Sequence, residues 1–293
     1  MFRPGLSLTL LALAGAPTFG ATSSLVRMEA STTWAENISR SSAASDWRDA
    51  LRWEARASTG LFHQWTEGLT SVAAFDAGFE RIPRYTANDA TTAGLRLSAR
   101  QKFGWGAYAP AVSLDASLHR RFAPIDGDDG WTGAASLQAS RRLSAAWRVA
   151  ATADWQQHYG ATPIWDTRQH RVFGTLTWDI TRNLQLTHGN GRLWGDFTAH
   201  ASWPVWERAL DGSLGTTIRD YYRTVAWGTT HSFGSGWVTY RVTGRVSFWW
   251  LELSPALGRN TSLPLRYESR FSVNRVGVKY RQDLWTLQWL HRF

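Results

Sequence analysis

Few residues in this chain stand where they could do chemistry. In "VSLDASLHRRF" (112–122), Asp115, Ser117 and His119 alternate along one phase, supplying a carboxylate, a hydroxyl nucleophile and a base. Two residues of extended chain span roughly 6.6 Å, so Ser117 and His119 share a face without meeting. The trio reads as polar lining before it reads as the triad of a lipid- or ester-hydrolysing enzyme. "IDGDDG" (125–130) offers Asp126, Asp128 and Asp129 to Ca²⁺, but it lacks the full twelve-residue loop with its closing Glu and reads as a polar turn. His158, His170, His188 and His200 have no metal-ligand spacing, and there is no cysteine to form a disulfide or thiolate site. No catalytic residue, metal or cofactor is therefore assigned.

Two sets of residues point to binding. In "THGNGRLWGDFTAH" (187–200), Arg192, Trp194, Asp196 and His200 place a stacking ring beside a cation and an anion, a candidate carbohydrate contact; a kinked strand with an inward aromatic fits the same residues. The second set is the arginines. The formal net charge is +9, and 30 of the 32 basic residues are arginine, Lys102 and Lys279 being the lysines. They are spread over the whole chain in alternating positions, with no basic tail, recognition helix or zinc-finger spacing, which argues against a nucleic-acid partner.

The elements that carry these residues have period two, not 3.6. "LRWEARASTGLFHQW" (51–65) sets Leu51, Trp53, Ala55, Ala57, Leu61 and Trp65 against Arg52, Glu54, Arg56 and Ser58. "GLRLSARQKFGW" (94–105) opposes Leu95, Leu97 and Ala99 to Arg96, Arg100 and Lys102. "WRVAATADW" (147–155) and "VTYRVTGRVSFWW" (238–250) repeat the pattern, the latter with Val242, Val246, Phe248 and Trp250 opposite Arg241 and Arg245. These runs exceed the usual strand of roughly 3–10 residues. In several of them aromatics stand near the ends and small apolar residues between, the girdle pattern of a membrane barrel. Tight links (65–68, 104–109, 141–144, 179–183) alternate with longer polar ones (35–50, 82–90, 123–130, 158–167). Arg3, the apolar "LSLTLLALAG" and the small residues of "TFGATSS" read as an export signal over 1–21, leaving 22–293 as the barrel.

With that signal, the alternating strands and a terminal "LWTLQWLHRF" ending on Phe293, the chain resembles bacterial outer-membrane β-barrel proteins. The resemblance implies an outer-membrane location and contact with outer-membrane lipid and lipopolysaccharide. It also implies a C-terminal strand read by the barrel insertion machinery; Trp285, Leu287, Trp289 and Phe293 match that pattern, while His291 departs from it. The fold expected is all-β, a transmembrane antiparallel barrel. Thirteen candidate strands appear, 216–227 and 266–280 among them, one too many or too few for a barrel of even count. Twelve is preferred and fourteen is the alternative. The uncertainty falls after residue 184, where the apolar phase changes around "HGNG" (188–191) and again between Val273 and Val276, each change a bulge or a hairpin turn.

If the apolar faces meet lipid, the lumen is lined by Arg52, Arg56, Arg96, Arg100, Lys102, Arg121, Arg148, Arg241 and Arg245, with Glu54, Asp115 and Asp154 as counter-charges. Unpaired arginine in a dry interior costs several kcal/mol, so this excess implies water. A wet positive lumen favours anions, and guanidinium forks suit carboxylates. The expectation is a channel for passive passage of anionic solutes, acidic oligosaccharides among them. The alternatives are a plugged structural or export-partner barrel working with a periplasmic protein, and a surface hydrolase. Oligomeric state is open.

Overall fold

The computed structural model describes residues 20–125 and 127–293; most of the expected export signal and Asp126 lie outside these. Strands β1 (Thr22–Ala35), β2 (Ala50–Gln64), β3 (Leu69–Arg81), β4 (Ala90–Lys102), β5 (Ala111–Phe122), β6 (Gly130–Arg142), β7 (Trp147–Gly160), β8 (Thr167–Thr181) and β9 (Leu184–Ser202) pair in chain order. They are followed by helices α1 (Trp203–Asp211) and α2 (Thr216–Tyr222) and by β10 (Trp227–Thr230), β11 (Trp237–Pro255), β12 (Thr261–Ser262), β13 (Leu265–Asn274) and β14 (Lys279–Arg292). β9 pairs β11, β11 pairs β13, β13 pairs β14, and β14 pairs β1 from Arg27↔Arg292 to Ala35↔Leu284. The ring closes with twelve antiparallel strands; β10 and β12 are short additions outside it. Closure leaves no backbone edge open to hydrocarbon.

The terminal strand takes its lipid-facing role from this closure. Trp285, Leu287 and Trp289 share the outward face with Trp34, Thr32 and Ala30. His291 sits in the same row, stacked on Trp289 at 5.6 Å, with Phe293 edge-on at 4.3 Å, so the departure from the apolar pattern is absorbed among rings. Leu95, Leu97, Leu114 and Leu118 fill the middle of the outer belt, and Trp147 stacks on Trp178.

Three open points are decided. The candidate strand over 216–227 is helix α2 and the loop after it, which removes the thirteenth strand. The phase break after Val273 is an outer hairpin turn, with Gly277 at φ 83° supplying the left-handed residue. The break at 188–191 is neither bulge nor hairpin: β9 and β11 pair without interruption from Leu184↔Pro255 to Ser202↔Trp237.

That uninterrupted register inverts the expected facing of β11. Val242, Val246, Phe248 and Trp250 are buried and point inward, while Arg245, Ser247, Trp249 and Leu251 are exposed on the outer wall. Gly189 permits this, since a Cβ there would lie 2.1 Å from the Trp250 ring. Phe173, Phe248 and Trp250 then form an aromatic pillar inside the barrel, with centroids 5.4–6.3 Å apart and the Arg266 guanidinium over Trp250.

Candidate functional site: the barrel lumen

Strand geometry places every second residue of β1–β8 and β13–β14 inside, and paired positions fall on the same face. Among the basic residues expected there, Arg52, Arg56, Arg96, Arg100, Lys102, Arg121 and Arg148 take inward positions, opposite Thr33, Glu29, Ala74, Thr70, Ala111, Thr92 and Thr177 respectively. Arg241 and Arg245 do not. Arg245 lies on the outer wall, and Arg241 hydrogen-bonds the Asp166 carbonyl in an outer loop at 2.5 Å. The misreading has a physical source: "SFWW" carries rings on both faces, so alternation alone could not say which of them met lipid.

The lumen also holds more carboxylate than the arginine-rich strands suggested. Asp76, almost fully buried, lies 3.3 Å from Arg96 and 3.5 Å from His119. Glu80 and Glu54 flank Arg52, Glu80 and Asp128 hold Arg121, and Asp154 pairs with Arg171 while accepting Ser136 Oγ at 2.7 Å. Glu268 lies between Arg266 and Arg270. Most partners come from the next strand or from positions two apart on one strand, but Asp76 and Glu80 of β3 also reach across β4 to His119 and Arg121 of β5, and Asp128 comes from the β5–β6 loop. Against this ladder, Arg56, Arg100, Lys102 and Arg148 have no carboxylate within 4 Å among the described residues.

A further cation was missed in the sequence because it lies in a loop. Arg40, in the segment 36–49 between β1 and β2, has φ +49° and reaches inside to line a cavity of about 230 Å³ with Gln156, Arg171 and Arg270. It has no ion pair or side-chain hydrogen bond among the described residues. Burial, with Arg270 and Arg52 nearby, pushes it down to about 10. It remains charged at neutral pH, so the depression expresses the cost of holding it there.

Two further polar cavities share a lining residue with it. One of about 340 Å³ is lined by Arg96, Asp115, Ser117, Asp154 and Arg171; one of about 360 Å³ by Glu54, Arg56, Glu80, His119 and Arg121. Gln156 borders all three.

The outer mouth is spanned by loops. β9 passes the first residues of β8 at Gly195 (φ +135°, opposite Gln169), and the β9–β11 extension beyond it meets the 36–49 segment. His200 N–H donates to the Ser39 carbonyl at 3.0 Å, and Ser202 donates through N and Oγ to the two oxygens of Asp46. Asn88 donates to the Ser232 carbonyl, and Phe233 packs between Tyr85, His200 and Trp237. The other face of the extension, with Phe197, Val238, Tyr240 and Val242, packs on Trp206 and Tyr222 of the helices. There Tyr222 bonds Tyr280 at 2.8 Å, and burial pushes it up to about 12.

The remaining candidates are dispersed. Arg192 and Trp194 face outward, Asp196 accepts from Thr243 Oγ1, and His200 is buried beside Thr239, so these four form no common pocket. His119 is held by Asp76, not by Ser117. Asp128 serves Arg121, and Asp129 accepts the Ala123 N–H at 2.6 Å.

Neither a protein-family profile nor a curated protein sequence matches the chain. Among solved structures, an outer membrane channel from Pseudomonas putida F1 superposes with a TM-score of 0.56 at 13% identity, over 95% of this chain and 97% of that one. A KdgM porin in complex with disordered oligogalacturonate gives 0.43 at 8% identity over 92% and 99%. The β domain of the Bordetella autotransporter BrkA gives 0.44 at 10% over 92% and 99%. Identities this low speak to fold alone: an outer-membrane β-barrel.

Proposed function

We propose that the protein is an outer-membrane channel passing small anionic solutes through a cation-rich lumen, acidic oligosaccharides being the solute class whose carboxylates best suit guanidinium forks. The observation that carries this reading is the set of inward cations without carboxylate partners, Arg56, Arg100, Lys102 and Arg148 on the wall and Arg40 reaching in from the 36–49 segment; Arg56 and Arg40 line polar cavities of the interior. Fixed cations facing water lower the entry cost of an anion, whereas the paired arginines on either side hold the wall rigid. The test is single-channel recording of the refolded barrel in a planar bilayer under a KCl gradient. A reversal potential of anion-selective sign, with block by a galacturonate trimer but not a neutral trisaccharide, is the expected result. Cation-selective openings would overturn it.

A second reading has its own support. The hydrogen bonds joining Asp46 to Ser202 and Asn88 to Ser232 hold the outer loops together across the mouth. They favour a barrel that stays shut until a periplasmic or external partner displaces them. A folded, inserted barrel that remains silent in the bilayer would select this reading.

A further inference from the structure

Of the outer-wall cations without a carboxylate partner among the described residues, Arg192, Arg245 and Lys279 cluster on neighbouring strands. In the ladder Trp194 stands opposite Arg245, Arg245 opposite Val273, and Val273 opposite Lys279. Arg192 lies one step nearer the periplasm on β9, opposite Ser247. With strands about 4.8 Å apart, Arg245 and Lys279 are separated by about 10 Å, and Arg192 is a diagonal neighbour of Arg245 at about 7–8 Å. The acids on this side are already engaged: Asp283 by Arg281 and Tyr267, Asp196 by Thr243.

The height of this row is fixed by topology. Val273 and Lys279 immediately flank the outer turn joining β13 and β14, so the cations sit at the outer rim of the wall. Beneath them, on the lipid side, opens a groove of about 660 Å³ that spans β7, β8, β9, β11 and β13. Val172, Trp249 and Phe271 wall it, and Gly174, with Asn190 and Ser269, forms its floor. A Cβ on Gly174 would meet no heavy atom nearer than 3.8 Å, so the space over it is open.

We propose that this surface binds one phosphorylated lipid of the outer leaflet, its phosphate held by Arg192, Arg245 and Lys279 and an acyl chain lying in the groove. Exposed arginine is unfavourable against hydrocarbon unless an anion meets it, and guanidinium pairs with phosphate through two parallel hydrogen bonds. Cations at the rim above an apolar-walled slot match the polarity of an amphiphile lying along the wall. The site is outside the barrel and stands independently of what passes through the lumen.

The test is native mass spectrometry of the full barrel in neutral detergent, titrated with bisphosphorylated lipid A. One lipid per barrel is expected, with affinity at least tenfold weaker in R192Q/R245Q. G174L, which fills the groove and keeps the cations, is expected to weaken lipid binding several-fold. Millimolar inorganic phosphate should displace little of the lipid. Heat-shifted gel migration checks that each variant folds, and G174L alone still tests the site if R192Q/R245Q does not. Equal occupancy in the wild type and G174L, equal binding of dephosphorylated lipid, or full displacement by free phosphate would overturn the proposal. So would a dimer of barrels, lost in R192Q/R245Q, in place of bound lipid.

Discussion

Replacing Arg40 with Gln should make the barrel more stable and less anion-selective at the same time. Arg40 holds a left-handed backbone conformation that non-glycine residues rarely adopt, and it extends into the lumen near Arg52 and Arg270 with no acid paired to it. Its fall from 12.5 to about 10 corresponds to a ceiling of about 3 kcal/mol at 1.36 kcal/mol per unit. Water reaching the side chain through the adjoining cavities lowers that ceiling, and about 1–2 kcal/mol of stabilisation is expected. The sign follows from linkage: a cation whose folded pKa is depressed costs stability fully below the folded value. That cost fades as pH rises from about 10 towards 12.5. The advantage of R40Q should therefore be flat between pH 6 and 9 and shrink above pH 10. Urea-unfolding midpoints in detergent micelles measure the first effect, and the reversal potential in a KCl gradient measures the second. Destabilisation by R40Q, or an unchanged reversal potential, would refute the reasoning that this arginine is retained for its field in the lumen.

Other perturbations separate the roles of the remaining charges. Asp76→Ala leaves Arg96 and His119 without their shared carboxylate and should cost about 2–4 kcal/mol in unfolding free energy. Arg100→Glu, on the inner wall, should shift the reversal potential towards cations, whereas Arg245→Glu, on the outer wall, should leave it unchanged; equal shifts would contradict the facing of β11. Asp46→Ala removes both bonds to Ser202 and should raise the open probability of the channel, read as dwell times in single-channel records.

Much of the fold was legible because a membrane barrel writes itself in alternation. Where one face of a strand meets hydrocarbon and the other meets water, period two fixes both the element and its facing, as in 51–65 and 94–105. The final strand was legible for the same reason, since Trp285, Leu287 and Trp289 leave only one side for lipid. Alternation failed where both faces are apolar or both polar. The residues 238–250 offered Trp249 to one side and Phe248 and Trp250 to the other, and 188–194 put His188, Asn190 and Arg192 where lipid-facing residues were expected. Helix α2 was hidden because seven residues of a loop are too few to establish a period.

The sequence by itself determined the barrel and its approximate strand number, because these depend on residue type and parity along single strands. Only the tertiary structure decided which arginines are neutralised, since Asp76, Glu80 and Glu268 reach them across the ladder or from positions whose facing depends on register. It alone brought Arg40 from a loop into the lumen, and it alone turned Arg192 and Arg245 outward. Those outcomes rest on closure of the ring, where Gly189 and Gly191 of β9 make room for Trp250 of β11 and Phe173 of β8, and no local pattern in the chain records that fit.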